Sequence, residues 1–272
     1  MSNWPLPPAF SSIEQGGANA ADSSAVTVTA GLRALGSWTE IIAATGFEYG
    51  MFFVNIYATS RGYMEIGIGA AASEVAIATI PTAVGGYQNY RETMPIYIPV
   101  PAGERISVRA SGSTTATVEA QIVGIARTGL SQFPLASVAS MEGIETAGSS
   151  VTHGQKIPVD PGGTANTKGS WTEIVASMAD DYSMLHLLFD DNQVSAQTGQ
   201  DRLWDFAIGA GGSEVAFLSD IYQTVTGSEM VTPSNLLIPW GLSAGTRLAA
   251  RMQCSITGAT DRMGGCAIVG YK

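Results

Sequence analysis

Four charged positions occur twice in this chain, once in each half, and they are the residues best suited to do chemistry. The pairs are Glu40 and Glu173, Glu74 and Glu214, Arg105 and Arg247, and Arg109 and Arg251. Paired carboxylates can act as a general acid and base, and an arginine can bind an anion. The alternative is structural, because alternate arginines on one strand suit cross-strand ion pairs on the outer face of a sheet. We favour the structural interpretation.

Other patterns that mark catalysis or metal binding are not matched by the sequence. Both histidines, His153 and His186, lie in the second half and have no counterpart in the first. No Gly-x-Ser-x-Gly motif marks a nucleophile. The glycine-rich runs at 68–73 and 208–213 lack the lysine of a phosphate-binding loop and suit hairpin turns. The aspartates between 180 and 205 lack the spacing of a calcium loop. We therefore expect no enzymatic activity, no catalytic or metal-binding residue and no cofactor.

The two cysteines, Cys254 and Cys266, flank a turn-rich stretch at 258–265. A hairpin at that stretch would place them opposite one another. Their counterparts in the first half, Gly112 and Ala120, cannot form a disulfide. So few cysteines are typical of a reducing compartment. We favour two small buried thiols, and a disulfide remains the alternative.

Composition and charge exclude several classes of partner. The formal net charge is −10 and no basic run occurs, whereas nucleic-acid binding requires clustered lysine and arginine. No stretch approaches the roughly 20 apolar residues of a membrane span. The N-terminus has no positive region followed by an apolar run, so we expect no signal peptide. We expect a protein made in the cytoplasm that contacts neither nucleic acid nor membrane.

Several blocks of sequence in the first half return in the second. They are Gly-Ser-Trp-Thr-Glu-Ile (36–41 and 169–174), Ile-Gly-Ala-x-x-Ser-Glu-Val-Ala (68–76 and 208–216), Ile-Pro (98–99 and 238–239), Ala-Gly-x-Arg (102–105 and 244–247) and Ile-Val-Gly (122–124 and 268–270). The separation between matched residues grows from 133 (Trp38 to Trp171) to 146 (Ile122 to Ile268). A period this long indicates duplication of a whole domain, since solenoid repeats span roughly 20–50 residues.

Within each half, apolar residues alternate with polar ones, which is the pattern of a half-buried strand. Ile106, Val108 and Ala110 share one face in the first half, as do Leu248 and Ala250 in the second. The strands expected in the first half lie near 25–30, 37–43, 50–58, 63–69, 73–79, 94–100, 104–111 and 117–125. The sequence thus predicts an all-β protein of two tandem antiparallel β-sandwiches. We expect a jelly-roll-like topology, because the Cys…Trp…Cys spacing of an immunoglobulin domain is missing.

The domain boundaries follow from the repeat and from a proline-rich start. We assign residues 1–12 to an extended N-terminal arm, 13–127 to the first sandwich, 128–142 to a connector and 143–272 to the second sandwich. The arm holds large apolar side chains among prolines, and an extended segment cannot bury them on itself.

Two segments have the composition of an interface. The candidate partner-binding residues are Trp4, Leu6 and Phe10 in the arm and Tyr87, Tyr90 and Arg91 in a glycine-rich loop. The three arm residues suit grooves of a neighbouring subunit. Tyrosine with asparagine, glutamine and arginine is typical of protein interfaces and of sugar-binding sites, so the loop leaves a subunit contact, a glycan and ordinary solvent exposure open.

The repeated phrases, including Ala-Ile-Gly-Ala-Gly-Gly-Ser-Glu (207–214), resemble a module of structural proteins in the virions of tailed bacteriophages. The resemblance covers residues 36–125 and 169–271. It implies a homo-oligomeric particle component, such as a trimer, that contacts the major capsid protein or other virion proteins and is assembled in the host cytoplasm. Two functions fit: a capsid decoration or head-spike-base protein that binds neighbouring shell subunits, or a host-facing adhesin or fibre-associated protein that binds a cell-surface glycan. The arm favours the first.

Overall fold

The computed structural model describes residues 13–16, 26–58, 62–82, 90–112, 115, 117–126, 139–142, 157–190, 199–225, 231–232, 235–259 and 261–272. This part of the chain contains strands, turns and loops and no helix, which confirms the predicted all-β class. It therefore holds no helix that could cross a membrane. The described residues form two compact units, one drawn mainly from residues before 140 and the other mainly from residues 140–270.

The first unit contains two sheets. From the N-terminal side, the strands as far as residue 142 are β1 (Ile13–Gly16), β2 (Val26–Thr29), β3 (Gly31–Leu32), β4 (Thr39–Ile42), β5 (Tyr49–Ala58), β6 (Gly62–Ile68), β7 (Val75–Pro81), β8 (Tyr90–Ile96), β9 (Ile106–Gly112), β10 (Thr117–Ala126) and β11 (Ala139–Glu142). One sheet has the order β1-β10-β5-β8, with β2 also on β10. The other runs β7-β6-β9-β3, with β4 also on β9. Strand β11 joins β7 in parallel, with Ala139 opposite Ala78.

The second unit contains the remaining strands. They are β12 (Ile157–Val159), β13 (Thr172–Val175), β14 (Met184–Asp190), β15 (Gln200–Ile208), β16 (Val215–Val225), β17 (Val231–Thr232), β18 (Asn235–Ile238), β19 (Leu248–Cys254) and β20 (Gly264–Tyr271). One sheet has the order β18-β14-β20, with β12 also on β20, and the other runs β13-β19-β15-β16-β17.

The two units share one strand order. When the two-residue strands β3 and β17 are set aside, eight strands can be counted from β2 in one unit and from β12 in the other. In both, one sheet then runs first-eighth-third-sixth and the other second-seventh-fourth-fifth. All eight strands predicted for the first half have an observed counterpart, β2 and β4 to β10. The sequence missed β1, β3 and β11, the last of which lies in the stretch that we assigned to the connector.

The predicted inward faces are confirmed, and they form the core of each unit. Residues Ile106, Val108, Ala110, Val118, Ala120, Ile122, Leu248, Ala250 and Met252 are all 0% exposed. In the second unit the two sheets meet through aromatic rings. Phe189 of β14 lies 5.6 Å from Trp204 and 5.9 Å from Phe206, both on β15, between ring centroids. The Trp204 indole N–H donates to Gln223 Oε1 at 2.9 Å, so its polar atom is satisfied within the core.

The glycine-rich runs form the predicted turns between antiparallel strands. Gly69 and Gly209 have φ values of 113° and 112°, in the left-handed region that favours glycine. In each turn a serine amide closes a backbone hydrogen bond of 2.9 Å, from Ser73 to Ala70 and from Ser213 to Ala210. These turns join β6 to β7 and β15 to β16.

The hairpin predicted for the two cysteines is wrong. Cys254 ends β19, which pairs with β13 and β15, whereas Cys266 lies on β20, which pairs with β12 and β14. The connection between them therefore passes from one sheet to the other, a route that a turn-rich stretch permits as readily as a hairpin. Both thiols are free and buried, as favoured. The Cys254 thiol donates to Gln200 Oε1 at 2.6 Å.

We predict that Gly270→Ala lowers the free energy of unfolding by about 2 kcal/mol, since overpacking a filled site forces side chains or backbone to move. A Cβ at Gly270 would lie 2.5 Å from a ring atom of Tyr182. Denaturant unfolding measures the change. Gly163→Ala is the control, because its Cβ would meet only Arg262 Nη1, at 3.7 Å. Equal stability of the two variants would contradict close packing of the ring on Gly270.

Candidate functional site

The repeated charges lie on one sheet of each unit, where they pair across strands. In the first unit Arg105 donates from Nε to Glu40 Oε2 at 2.7 Å and from Nη1 to Glu74 Oε1 at 2.6 Å. The Glu74 side chain is only 3% exposed, and its hydrogen bond from Arg105 helps to hold its pKa below the ordinary value. A carboxyl that stays ionised and paired is a poor proton donor near neutral pH. The predicted cross-strand ion pairs are therefore present in the first unit.

The second unit repeats the same bridge. Arg247 Nε donates to Glu173 Oε2 at 2.7 Å and Nη1 to Glu214 Oε1 at 3.2 Å. Arg247 Nη1 also donates to the carbonyl of Gly209 at 3.0 Å, which ties the bridge to the turn between β15 and β16. Backbone hydrogen bonding, together with Arg247, lowers the pKa of Glu214 despite its burial. Each bridge thus joins one strand to the residues that immediately precede two others of the same sheet.

A tryptophan and an arginine stack beside each bridge. The Arg109 guanidinium carbon lies 4.4 Å from the ring centroid of Trp38, and Arg251 lies 4.4 Å from that of Trp171. A cation over an indole face is attracted by the ring electrons. A Cβ at Gly67 would lie 2.7 Å from the Trp38 ring, so the ring packs closely on this glycine in the first unit, whereas the equivalent residue of the second unit is Ala207. The repeated Gly-Ser-Trp phrase therefore has a structural role.

The acidic partner of the stacked arginine escaped the sequence analysis. Arg109 Nε donates to Glu65 Oε2 at 2.7 Å, and Arg251 Nε donates to Asp205 Oδ2 at 2.9 Å. Glu65 and Asp205 precede Ile66 and Phe206, which take equivalent places in β6 and β15. The change from glutamate to aspartate hid the match. The sequence did contain a signal for this match: in both halves a carboxylate residue directly precedes an apolar residue of the core.

Asp205 carries further contacts that its equivalent, Glu65, does not make with the described residues of the first unit. Lys168 Nζ lies 2.6 Å from Asp205 Oδ1 and 3.0 Å from Asp220 Oδ1, and the Asp220 amide donates to Asp205 Oδ1 at 2.9 Å. The Asp205 side chain is 3% exposed. Burial alone would raise its pKa, but the hydrogen bonds from Lys168, the Asp220 amide and Arg251 outweigh burial and lower it. Both carboxylate oxygens of Asp205 are therefore occupied by hydrogen-bond donors.

A shallow groove of about 520 Å³ lies along residues 160–170 of the second unit. Asp160 at its rim accepts two hydrogen bonds from Arg262, of 2.7 and 3.0 Å, which lower the pKa of Asp160. Lys168 also lines the groove but is engaged with Asp205. In the described ranges, no group of three or more histidine, cysteine, aspartate or glutamate side chains is placed to hold a metal ion.

His186 is a buried residue of β14 with 0% exposure. Its Nε2 lies 3.0 Å from Asn235 Oδ1, and Nδ1 has no hydrogen-bond partner within the part of the chain that the structure describes. Burial lowers its pKa, and the hydrogen bond with Asn235 only partly opposes this. The imidazole is therefore neutral at neutral pH.

Most of the candidate partner-binding residues lie outside the described residues. This applies to Trp4, Leu6, Phe10 and Tyr87. Tyr90 and Arg91 begin strand β8, and their side chains also lie outside what is described. All six remain predictions.

The described surface carries apolar residues that sequence analysis did not single out. Val75 and Val215 occupy matching positions at the starts of β7 and β16, and each is 66% exposed. Tyr222, near the end of β16, is 56% exposed. Strand β16 is exposed or half-buried along most of its length, whereas β7 is mostly buried beyond Ala76. An exposed apolar strand of this kind suits an interface.

No protein-family model matches the chain, and no curated protein sequence matches it. Among solved structures, the PBSX exported protein XepA is similar over 92% of this chain and 89% of that protein, at 9% identity and a TM-score of 0.29. Vicilin from hazelnut, Corylus avellana, covers 86% and 75% at 10% identity, with a TM-score of 0.18. Pumpkin seed globulin covers 85% and 75% at 10% identity, with a TM-score of 0.19. TM-scores this low establish neither a common fold nor a common function.

We predict that Asp205→Asn destabilises the protein by about 2 kcal/mol, because it leaves partly buried cations without their carboxylate. Asp180→Asn is the control. Asp180 pairs with Lys272 at 2.6 Å with side chains 41% and 36% exposed, so its loss should cost less than about 0.5 kcal/mol. Denaturant unfolding at neutral pH compares the two. A similar decrease in the free energy of unfolding in both variants would contradict the larger contribution of Asp205.

We predict that His186 makes the protein less stable as the pH falls below 6.5, the ordinary histidine pKa. The folded-state pKa is lowered, so the unfolded chain binds the proton first and acid favours unfolding. The loss between pH 7 and pH 5 should approach about 2 kcal/mol. His186→Gln should remove most of it, as measured by denaturant unfolding at both pH values. An unchanged pH dependence would exclude His186 as its source.

Proposed function

We propose that the protein is a structural, non-enzymatic component of a bacteriophage virion, a capsid decoration or head-spike-base protein that binds neighbouring shell subunits. The observation that carries the proposal is the engagement of the repeated charged residues. Arg105 and Arg247 bind two carboxylates each, and Arg109 and Arg251 bind a carboxylate and stack on a tryptophan. These side chains stabilise a scaffold and leave little for a substrate.

The strand order supports a virion role at the level of architecture. Eight strands in two sheets, ordered first-eighth-third-sixth and second-seventh-fourth-fifth, form the jelly-roll arrangement that we infer for both units. Jelly rolls are common in viral capsid domains, and they also occur in lectins. Because one fold serves many functions, the architecture alone does not choose between these. The resemblance of the repeated phrases to phage virion modules favours the capsid role.

We further propose that the tandem copies arose by duplication and that the protein acts as a homo-oligomer on the particle. The matched turns and stacks in the two units support the duplication. Repetition benefits a protein that contacts a repeated surface, since each added contact raises the effective concentration for the next. The partners are the major capsid protein or other virion proteins, and the place is the virion.

A host-facing adhesin is the second candidate. The observation that favours it is the composition of the loop with Tyr87, Tyr90 and Arg91. Binding of the pure protein to bacterial surface glycans, lost on Tyr87→Ala, would support the adhesin. Binding to shell particles from which the protein has been removed would support the decoration protein.

We predict that removal of residues 1–12 abolishes incorporation into particles but leaves the β-structure intact. Trp4, Leu6 and Phe10 contribute about 1.5–3 kcal/mol each when buried, before the cost of ordering them. The measurement is the occupancy of the truncated protein on particles that lack the native one, with circular dichroism as the folding check. A full-length variant with these three residues changed to alanine is the matched control and should also fail. Normal occupancy of either variant would show that the arm is incidental.

A further inference from the structure

The two units treat equivalent edge strands differently. In the first unit, β7 has β6 on one side and receives β11 in parallel on the other, with Ala139 opposite Ala78. In the second unit, β16 occupies the equivalent place beside β15. Within the described residues, β17 pairs with β16 only at Thr224 and Val225. The stretch 215–222 of β16 is therefore an open sheet edge in that part of the chain.

This open edge is apolar at the place where β11 binds in the first unit. Leu218 is the equivalent of Ala78, because it lies opposite Phe206 as Ala78 lies opposite Ile66. Val215 is 66% exposed, and Phe217 and Leu218 are half-buried. An exposed edge strand with apolar side chains offers unpaired backbone groups to another chain.

A bulge restricts how a strand can be added there. The pairing of β15 with β16 shifts register between Phe206 and Ala207, as the pairing of β6 with β7 does between Ile66 and Gly67. A further shift, between Trp204 and Phe206, has no counterpart in β6 and β7, and Asp220 in that bulge has a φ of 58°. Bulges bend an edge and interrupt pairing. An added segment can therefore pair on the Val215 side of the bulge, up to Leu218.

The sequence identifies a segment equivalent to β11. Strand β11 lies between Phe133-Pro-Leu and Ile144-Glu. The same two phrases flank the end of the arm, as Trp4-Pro-Leu and Ile13-Glu. Residues 7–12 thus stand before the first copy as residues 136–143 stand before the second. Ala139, in the segment that precedes the second copy, belongs to the first unit and pairs with its edge strand β7, and the segment that precedes the first copy is the arm.

We propose that the N-terminal arm of one molecule adds as a parallel strand to the β16 edge of a second copy of this chain, with Phe10 opposite Leu218, because Phe10 follows Trp4 by six residues as Ala139 follows Phe133. Strand addition of this kind draws its affinity from backbone hydrogen bonds and its specificity from side chains at alternate positions. Residues 2–12 carry no charged side chain, which suits an apolar edge. Pro7 and Pro8 cannot donate, so an edge position is where they are tolerated.

This arrangement is a head-to-tail contact, since the arm and the edge are different surfaces. Such contacts close into rings or extend into filaments. The inference deepens the proposed function, on which it rests for the presence of many copies on one particle. It assigns the arm to a neighbouring copy of this chain as its binding site.

Cross-linking between separately purified variants tests the contact. The parallel register places Pro7 near Val215, three residues before Phe10 and Leu218. Protein carrying Pro7→Cys is mixed with protein carrying Val215→Cys and treated with a short bifunctional maleimide. Val75→Cys is the matched control, because Val75 is equally exposed at the matching position of β7. The native cysteines are buried, and untreated wild type reports their background.

The proposal expects a covalent heterodimer with Val215→Cys and little with Val75→Cys. No heterodimer, or equal yields with both, would overturn it. Cross-linking only when both cysteines are on one chain would also overturn it, because the arm would then bind within its own molecule. If particles reject the truncated protein while the cross-link fails, the proposed function stands and this inference falls.

The oligomeric state in solution provides an independent measurement. Light scattering on the full chain should show association that rises with concentration. Val215→Lys should raise the concentration for half-association by about tenfold or more, since a lysine on an edge strand opposes strand addition. Val75→Lys should leave it unchanged. Equal effects of the two variants, or a monomer at all concentrations, would count against the β16 edge.

Discussion

The contact between the inward faces of two sheets is the constraint on which each unit depends. Phe189 reaches Trp204 and Phe206 across that contact. Met64 and Ile66, which take the places of Trp204 and Phe206 in the first unit, are also 0% exposed. Side chains alternate along a strand, so burying one face commits every other residue to the opposite face. Arg105 and Arg109 point outward for this reason. The two arginines lie on the outer face because the residues that alternate with them are packed in the core.

On the outer face of each sheet, charged side chains form a second set of contacts between strands. An arginine between two carboxylates and a second arginine on a tryptophan tie neighbouring strands together in both units. Surface ion pairs taken singly contribute little, whereas the partly buried members of a network contribute more. Asp205, with three donors and 3% exposure, is the most engaged of them. The charged side chains that repeat in the two units are engaged here in ion pairs between strands.

The two copies diverge at their edges. The edge strand of one carries an added strand, while its equivalent in the other exposes Val215 and Tyr222. The two units share the features that folding requires, namely the buried core, the glycine turns and the ion pairs of the outer face. Features that differ between the two units are not required by the shared scaffold and are free to serve contacts with other molecules. The bulge at Asp220 is one such feature.

The sequence by itself determined the class of fold and eight strands of the first half, because alternation and turn glycines are local signals. It also matched the arginines of the two halves, since those blocks repeat almost letter for letter. Only the tertiary structure decided the strand order, since partner choice depends on contacts between residues far apart in the chain. For the same reason the cysteines lie in different sheets: a turn-rich stretch looks the same whether it closes a hairpin or crosses between sheets. Lys168 has no counterpart in the first half, so its contacts with Asp205 and Asp220 became apparent only when three distant segments were brought together by the packing of the core.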